Sequence, residues 1–198
     1  MSGDGAAAFA PEAATTEVLP GRLILVVGPS GAGKDTLIAA ARQRLAGDRR
    51  FVFPRRVVTR PASAAEDNLV ADAAGFRAIT ELGGFALTWE AHGHHYGIPA
   101  AIVSDLAEGR IVVVNVSRAV VRTARERWPD VTVIAVSAPT EVLAERMAAR
   151  ARPSDGSLEQ RLARAASGDG LPIADVTIDN GGALTAAVEA FLAAVMAS

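Results

Sequence analysis

Residues 22–36 read Arg-Leu-Ile-Leu-Val-Val-Gly-Pro-Ser-Gly-Ala-Gly-Lys-Asp-Thr, and no other stretch narrows the fold so far. Leu23 to Val27 is an unbroken apolar run, as expected of a strand buried on both faces of a parallel sheet. Gly28 then opens the pattern Gly-x-x-x-x-Gly-Lys, and from Leu37 the apolar spacing becomes helical. Strand, glycine loop and helix in that order form the context in which such a loop wraps a phosphate chain. Its glycines let backbone N–H groups approach phosphate oxygens without a Cβ clash, and the helix N-terminus adds positive potential. Gly28, Pro29, Ser30, Gly31, Ala32, Gly33, Lys34, Asp35 and Thr36 are the expected nucleotide-binding residues, with Lys34 reaching the β- and γ-phosphates as a mobile point charge. A glycine-rich turn with no ligand is the bland alternative, and Lys34 together with both flanks argues against it.

The residue after the lysine is irregular. The motif wants Ser or Thr there to bind Mg²⁺, and this chain has Asp35 followed by Thr36. A carboxylate is a good hard-oxygen ligand, so Asp35 is the candidate metal residue, acting directly or through water.

The 198 residues suit one domain with a sizeable core. Residues 1–20, rich in Ala, Gly, Pro and Thr and without Lys or Arg, read as a disordered tail with no signal-peptide character. Residues 21–198 read as the single folded domain. A net charge of −2 provides no global field for nucleic acid or an anionic membrane, and neither is expected as a partner. The absence of cysteine excludes disulfides, thiolate zinc sites and cysteine catalysis, and fits a cytoplasmic location. Leu184 to Met196, interrupted by Glu189, is too short to cross a bilayer and reads as a packing helix.

Further apolar runs at Ile111–Val114, Val131–Val136 and Val176–Ile178 alternate with helical spacing at Asp35–Leu45, Ala100–Glu108, Arg118–Trp128 and Thr140–Arg150. That alternation predicts an α/β fold with a mostly parallel sheet covered by helices on both sides. A short helix is expected over Gly75–Leu82, an extended segment over Phe85–Ala91 and a loop over His92–Pro99, with Phe85 and Trp89 in the core. Polar inserts at about 59–98 and 151–167 lie between core elements, where flaps that close over substrate belong.

The Gly-Pro-Ser-Gly-Ala-Gly-Lys loop resembles that of guanylate kinases. So do Thr59-Arg60-Pro61 followed by Glu66, the segment from His92 to Gly97, and the arginines of 146–164. The resemblance spans roughly residues 22–195. It implies a nucleoside-monophosphate-kinase fold with a P-loop core, an acceptor-binding insert and an arginine-bearing lid. The guanine-reading groups of that family are replaced, however: Arg56 stands for a serine, Leu87 for a glutamate, and Asn115 and Ser117 for two acidic residues. A site that loses its buried polar partners for a base cannot keep that specificity.

Ribose 1,5-bisphosphate phosphokinases, relatives of guanylate kinases, are more similar. They share Gly-Lys-Asp, Thr59–Ala62, Ala91–Pro99 and Val114–Ala119 as these stand here. The resemblance implies transfer of the γ-phosphate of ATP, with Mg²⁺, to a phosphorylated sugar. It also implies that Arg146, Arg150 and Arg161 close over the transferring group and that Asn180 lies on the adenine side. Arg60 and Tyr96 match acceptor-binding positions, and Arg56 and Arg118 beside Ser117 are cations suited to a bisphosphate without a base. Glu66, with Asp67, is a candidate for ribose hydroxyls. The bland readings are a solvated basic face for Arg146 and Arg150 and a loop ion pair with Glu66 for Arg60. The competing functions are a guanylate or other phosphometabolite kinase on the same fold and a non-catalytic guanylate-kinase-like binding module. Oligomeric state is open, a homodimer included.

Overall fold

The computed structural model describes residues 19–61, residues 67–149 with the backbone of Arg150, and residues 174–197. Glu66, the side chain of Arg150, Arg161 and the expected lid at 151–167 lie outside the described residues, as does the expected tail apart from Leu19 and Pro20. Leu19 is no tail residue: it is buried against the core.

The described strands form two sheets. The first is wholly parallel. Its strands are β1 (Arg22–Val27), β2 (Phe51–Val52), β7 (Ile111–Asn115), β8 (Val131–Ser137) and β9 (Val176–Asp179), in the spatial order β2-β7-β1-β8-β9. The second contains β3 (Val57–Val58), β4 (Leu69–Val70), β5 (Phe85–Ala91) and β6 (His94–Pro99), in the order β4-β3-β6-β5. Among the described residues the helices are α1 (Lys34–Arg44), α2 (Ala73–Glu81), α3 (Ile102–Ala107), α4 (Val121–Arg127), α5 (Thr140–Arg150) and α6 (Leu184–Met196). None is long and apolar enough to cross a membrane.

Alternation along β1 explains the layers. Leu23, Leu25 and Val27 face a cluster built with Ile102 and Leu106 of α3, Val121 and Ala124 of α4, and Ala86, Leu87 and Ile98 of the second sheet. Ile24 and Val26 face the opposite cluster, formed with Leu37 of α1, Leu143 and Met147 of α5, and Phe191 and Val195 of α6. A central strand buried on both faces has no polar side, which is why it reads as one apolar run. Full burial of Phe191 alone contributes about 2–3 kcal/mol of hydrophobic free energy.

Several sequence expectations are corrected. His92–Pro99 is not a loop: His94–Pro99 is β6, paired antiparallel with β5 through a two-residue turn at His92 and Gly93. Both turn residues have positive φ, 55° and 71°, as the tight hairpin turn matched to strand twist requires. Polar His94 and His95 hid the strand, and Gly97 leaves room for the Phe85 ring, which a Cβ there would meet at 2.5 Å. Around Pro54 the chain passes from one sheet to the other, β2 belonging to the core sheet and β3 to the insert, with no expectation overturned. Helix α2 starts two residues earlier than expected, because Asp72 caps it by accepting from the Gly75 N–H at 2.7 Å.

Candidate active site

Because β1, β7, β8 and β9 run parallel, Gly28, Asn115 and Asn180 arrive at the same carboxyl edge of the sheet. In open α/β sheets, ligands bind in the crevice at that edge. A cavity of about 530 Å³ opens there, walled by the glycine loop on one side and by the insert on the other.

The loop takes its shape from glycines and from Asn180. Gly33 has φ +87°, and a Cβ on it would meet Asn180 Nδ2 at 2.3 Å. Gly28 has φ +145°, and a Cβ there would strike the Val136 carbonyl oxygen at 2.1 Å. Asn180, 2% exposed, donates from Nδ2 to the Ala32 carbonyl at 2.8 Å, and its backbone N–H donates to Ser137 at 2.8 Å. Asn180 therefore fastens the loop to the ends of β8 and β9. Lys34 Nζ lies across the same loop, donating to the carbonyls of Gly28 at 2.8 Å and Pro29 at 2.9 Å.

Arg146 enters from α5. One of its guanidinium nitrogens donates to the Asn180 carbonyl at 2.9 Å, and the other is buried with no acceptor among the described residues. A buried charged donor left without an acceptor costs about 1–3 kcal/mol or more. A phosphate oxygen on the adjoining loop is the acceptor its chemistry fits, so these residues suit the phosphates of ATP. For Mg²⁺ the fit is narrower. The described residues contain no group of three His, Cys, Asp or Glu side chains able to hold a metal. Asp35, in the first turn of α1, offers one carboxylate beside the exposed Thr36 hydroxyl. One carboxylate plus substrate phosphates is an ordinary way to hold Mg²⁺.

The insert forms the acceptor wall. Arg60 is buried at 7% exposure, and Tyr96 at 8%. Arg56 reaches in from the segment before β3, donating to Asn68 Oδ1 at 3.2 Å and to the Asn115 carbonyl at 3.4 Å. Asn115 Nδ2 donates to Asp35 Oδ1 at 2.7 Å. Around the cavity, Lys34, Arg56, Arg60 and Arg146 face a single carboxylate, that of Asp35, among the described residues.

The cavity thus brings together Gly28, Ser30, Gly31, Gly33, Lys34, Asp35 and Thr36 with Arg56, Arg60, Tyr96, Asn115, Ser117, Arg146 and Asn180. Pro29 and Ala32 belong to the loop through their backbone carbonyls. Arg118 opens the 3₁₀ turn Arg118–Val120 and is not part of the lining. Sequence reasoning placed Trp89 in the core. Half-buried, it packs against the core cluster as expected and also lines the cavity, lying parallel to Tyr96. The signal that would have found it is its register opposite Tyr96, invisible once β6 is read as a loop.

A parallel sheet with the glycine loop after its first strand, an arginine at the loop and a strand-rich insert closing the same cavity together define a P-loop kinase of the guanylate-kinase-like class. The solved guanylate kinase of Anaplasma phagocytophilum shares this fold, with a TM-score of 0.62 over 90% of this chain and 88% of that one, at 19% identity. No family model matches the chain. Among curated proteins it is 53% identical over 163 residues to the ribose 1,5-bisphosphate phosphokinase of Bradyrhizobium diazoefficiens, covering 82% of each chain. It is 55% identical over 165 residues to that of Methylobacterium radiotolerans, covering 83% of this chain and 92% of that one. The chain belongs to the ribose 1,5-bisphosphate phosphokinase family.

Proposed function

We propose that this chain transfers the γ-phosphate of ATP to the 1-phosphate of ribose 1,5-bisphosphate, giving 5-phosphoribosyl 1-diphosphate and ADP, as a cytoplasmic step of phosphonate degradation. The observation that carries the reading is the charge of the cavity: four cations against one carboxylate, with no acid on the acceptor wall among the described residues. Leu87, at the position matching a base-reading glutamate, is 4% exposed and packed into the core. A sugar bisphosphate offers two phosphates and no base, which matches such a wall. Relatives more than half identical carry the same name.

In the reaction, an anionic oxygen of the acceptor 1-phosphate forms a bond to the γ-phosphorus. The bond from that phosphorus to the β-bridging oxygen breaks, and ADP leaves. The attacking oxygen is already ionised at neutral pH, so no strong general base is required, and the protein supplies position and charge. Lys34, the backbone N–H groups of Gly31 and Gly33, and the unpartnered nitrogen of Arg146 hold the transferring phosphate. In this reading Arg150 and Arg161 join them from the lid, and Asn180 keeps the loop in shape beneath the nucleotide. Arg60 and Arg56 bind the acceptor phosphates with Tyr96, while Asn115, Ser117 and Glu66 orient the sugar. When bound, Mg²⁺ would neutralise charge on the transferring phosphates, and Asp35 would hold it.

Phosphorus NMR of the purified chain with Mg-ATP and either ribose 1,5-bisphosphate or guanylate tests the reading. A diphosphate signal on ribose C1 and no guanosine diphosphate is expected. Guanosine diphosphate instead, or turnover of neither acceptor, overturns it.

A further inference from the structure

Two departures from the guanylate-kinase pattern meet at one atom. Asp35 stands where the loop motif has Ser or Thr, and Arg56 stands where a base-reading serine would be. Asp35 Oδ1 accepts from Asn115 Nδ2 at 2.7 Å and from an Arg56 terminal nitrogen at 3.4 Å. Asp35 belongs to the first turn of α1, Asn115 ends β7, and Arg56 leads into β3. A single oxygen therefore joins the nucleotide helix, the core sheet and the acceptor insert.

The charges make the arrangement selective. The Arg56 side chain is only 11% exposed, and that of Asp35 is 31% exposed. A guanidinium so far removed from water needs counter-charge nearby, and removing the Asp35 carboxylate takes part of it away. The Ser or Thr hydroxyl of the ordinary motif supplies no charge. Asp35 and Arg56 are thus suited to each other and poorly suited to the residues each replaces. Both contacts fall on Oδ1.

We infer that Asp35 is a positioning residue for the acceptor half of the site, holding Arg56 and Asn115 in the arrangement that receives an acceptor phosphate. The inference rests on the proposed reading of the cavity and adds a physical link between its two halves. Its consequence is that loss of the Asp35 carboxylate weakens acceptor binding more than nucleotide binding, contrary to what a residue serving only the metal would do.

A double-mutant cycle on the full chain tests this, using Asp35→Ser, Arg56→Ser and the pair. Binding of ribose 1,5-bisphosphate is measured without nucleotide or Mg²⁺, binding of ATP is measured in chelator, and melting is followed without any ligand. Each single variant is expected to lose roughly tenfold in acceptor affinity, and the pair no more than the worse single, a coupling of about tenfold. ATP affinity in chelator is expected to stay within about threefold, since uncoupled sites change little. Asp35→Asn, which keeps an acceptor for Asn115 and removes the charge, is expected to behave as Asp35→Ser does.

Additive losses overturn the inference. So does an Asp35→Ser protein with unchanged acceptor affinity and only a raised Mg²⁺ requirement. If the wild-type chain does not bind ribose 1,5-bisphosphate, the acceptor assignment falls. The ligand-free melting cycle then decides the coupling alone: non-additive shifts uphold the Asp35–Arg56 link, and additive shifts sink it.

Discussion

Trp89 lies flat against Tyr96 across the β5–β6 hairpin, ring centroids 5.4 Å apart and planes 5° from parallel. The two are direct cross-strand partners, and both line the cavity. Stacked aromatic pairs contribute about 0.5–1.5 kcal/mol beyond their buried area. Trp89→Leu keeps the apolar contact with the core and removes the stack. It is expected to lower stability by about 1 kcal/mol. The KM for the acceptor should rise several-fold while that for ATP holds, as steady-state kinetics with each substrate varied will show.

Arg146 presents a different balance. Its buried nitrogen has no acceptor among the described residues, so the ligand-free protein carries a cost that a neutral side chain of similar size avoids. Arg146→Met is therefore expected to change ligand-free melting by about 1 kcal/mol or less, the lost bond to the Asn180 carbonyl being offset. Its kcat should fall by roughly 10²–10³, the usual effect of removing one donor from the transferring group. Melting and single-turnover transfer measured on one preparation separate the two effects.

Asn180→Ala removes the donor that fastens the Ala32 carbonyl from beneath the loop. Leaving that buried carbonyl unpaired is expected to cost about 1–3 kcal/mol. ATP binding should weaken in parallel, because Gly33 packs directly on the same amide. Calorimetric titration with ATP, alongside thermal melting, checks both parts.

Asp67 ties the insert to the core, contacting Arg42 of α1 at 2.6 Å and Arg55 at 2.7 Å. The hydrogen bond from Arg42 is the largest influence holding its carboxyl below the ordinary aspartate value of 3.8. A depressed folded-state pKa means that the stabilisation is present above the unfolded value and is lost as pH falls through the lower folded value. The side chain is 45% exposed, so solvent screening limits the effect to roughly 0.5 kcal/mol. Asp67→Asn should melt slightly lower than wild type at neutral pH, and the gap should close in strong acid and shrink in high salt. A gap that persists unchanged at low pH would show that the carboxylate charge is not its source.

Much of the core was legible because of where its strands sit. β1, β7 and β8 are buried on both faces, so no polar residue interrupts Leu23–Val27, Val112–Val114 or Val133–Ile134. The glycine loop was legible because its backbone geometry can be met by few other residues. β6 was not, since His94, His95 and Gly97 resemble loop residues until their pairing with β5 is known. With β6 unread, Trp89 had no visible partner and was assigned to the core alone. The contact of Asp35 with Arg56 spans 21 positions and depends on how the insert folds back over α1, which no local pattern encodes.

Discrimination between acceptors tests the central claim most directly. The measurement is kcat/KM of the purified chain with Mg-ATP for ribose 1,5-bisphosphate and for guanylate under the same conditions. A site without paired groups for a base should favour the sugar bisphosphate by about 10³-fold or more. Comparable values for the two acceptors, or a preference for guanylate, would contradict the account.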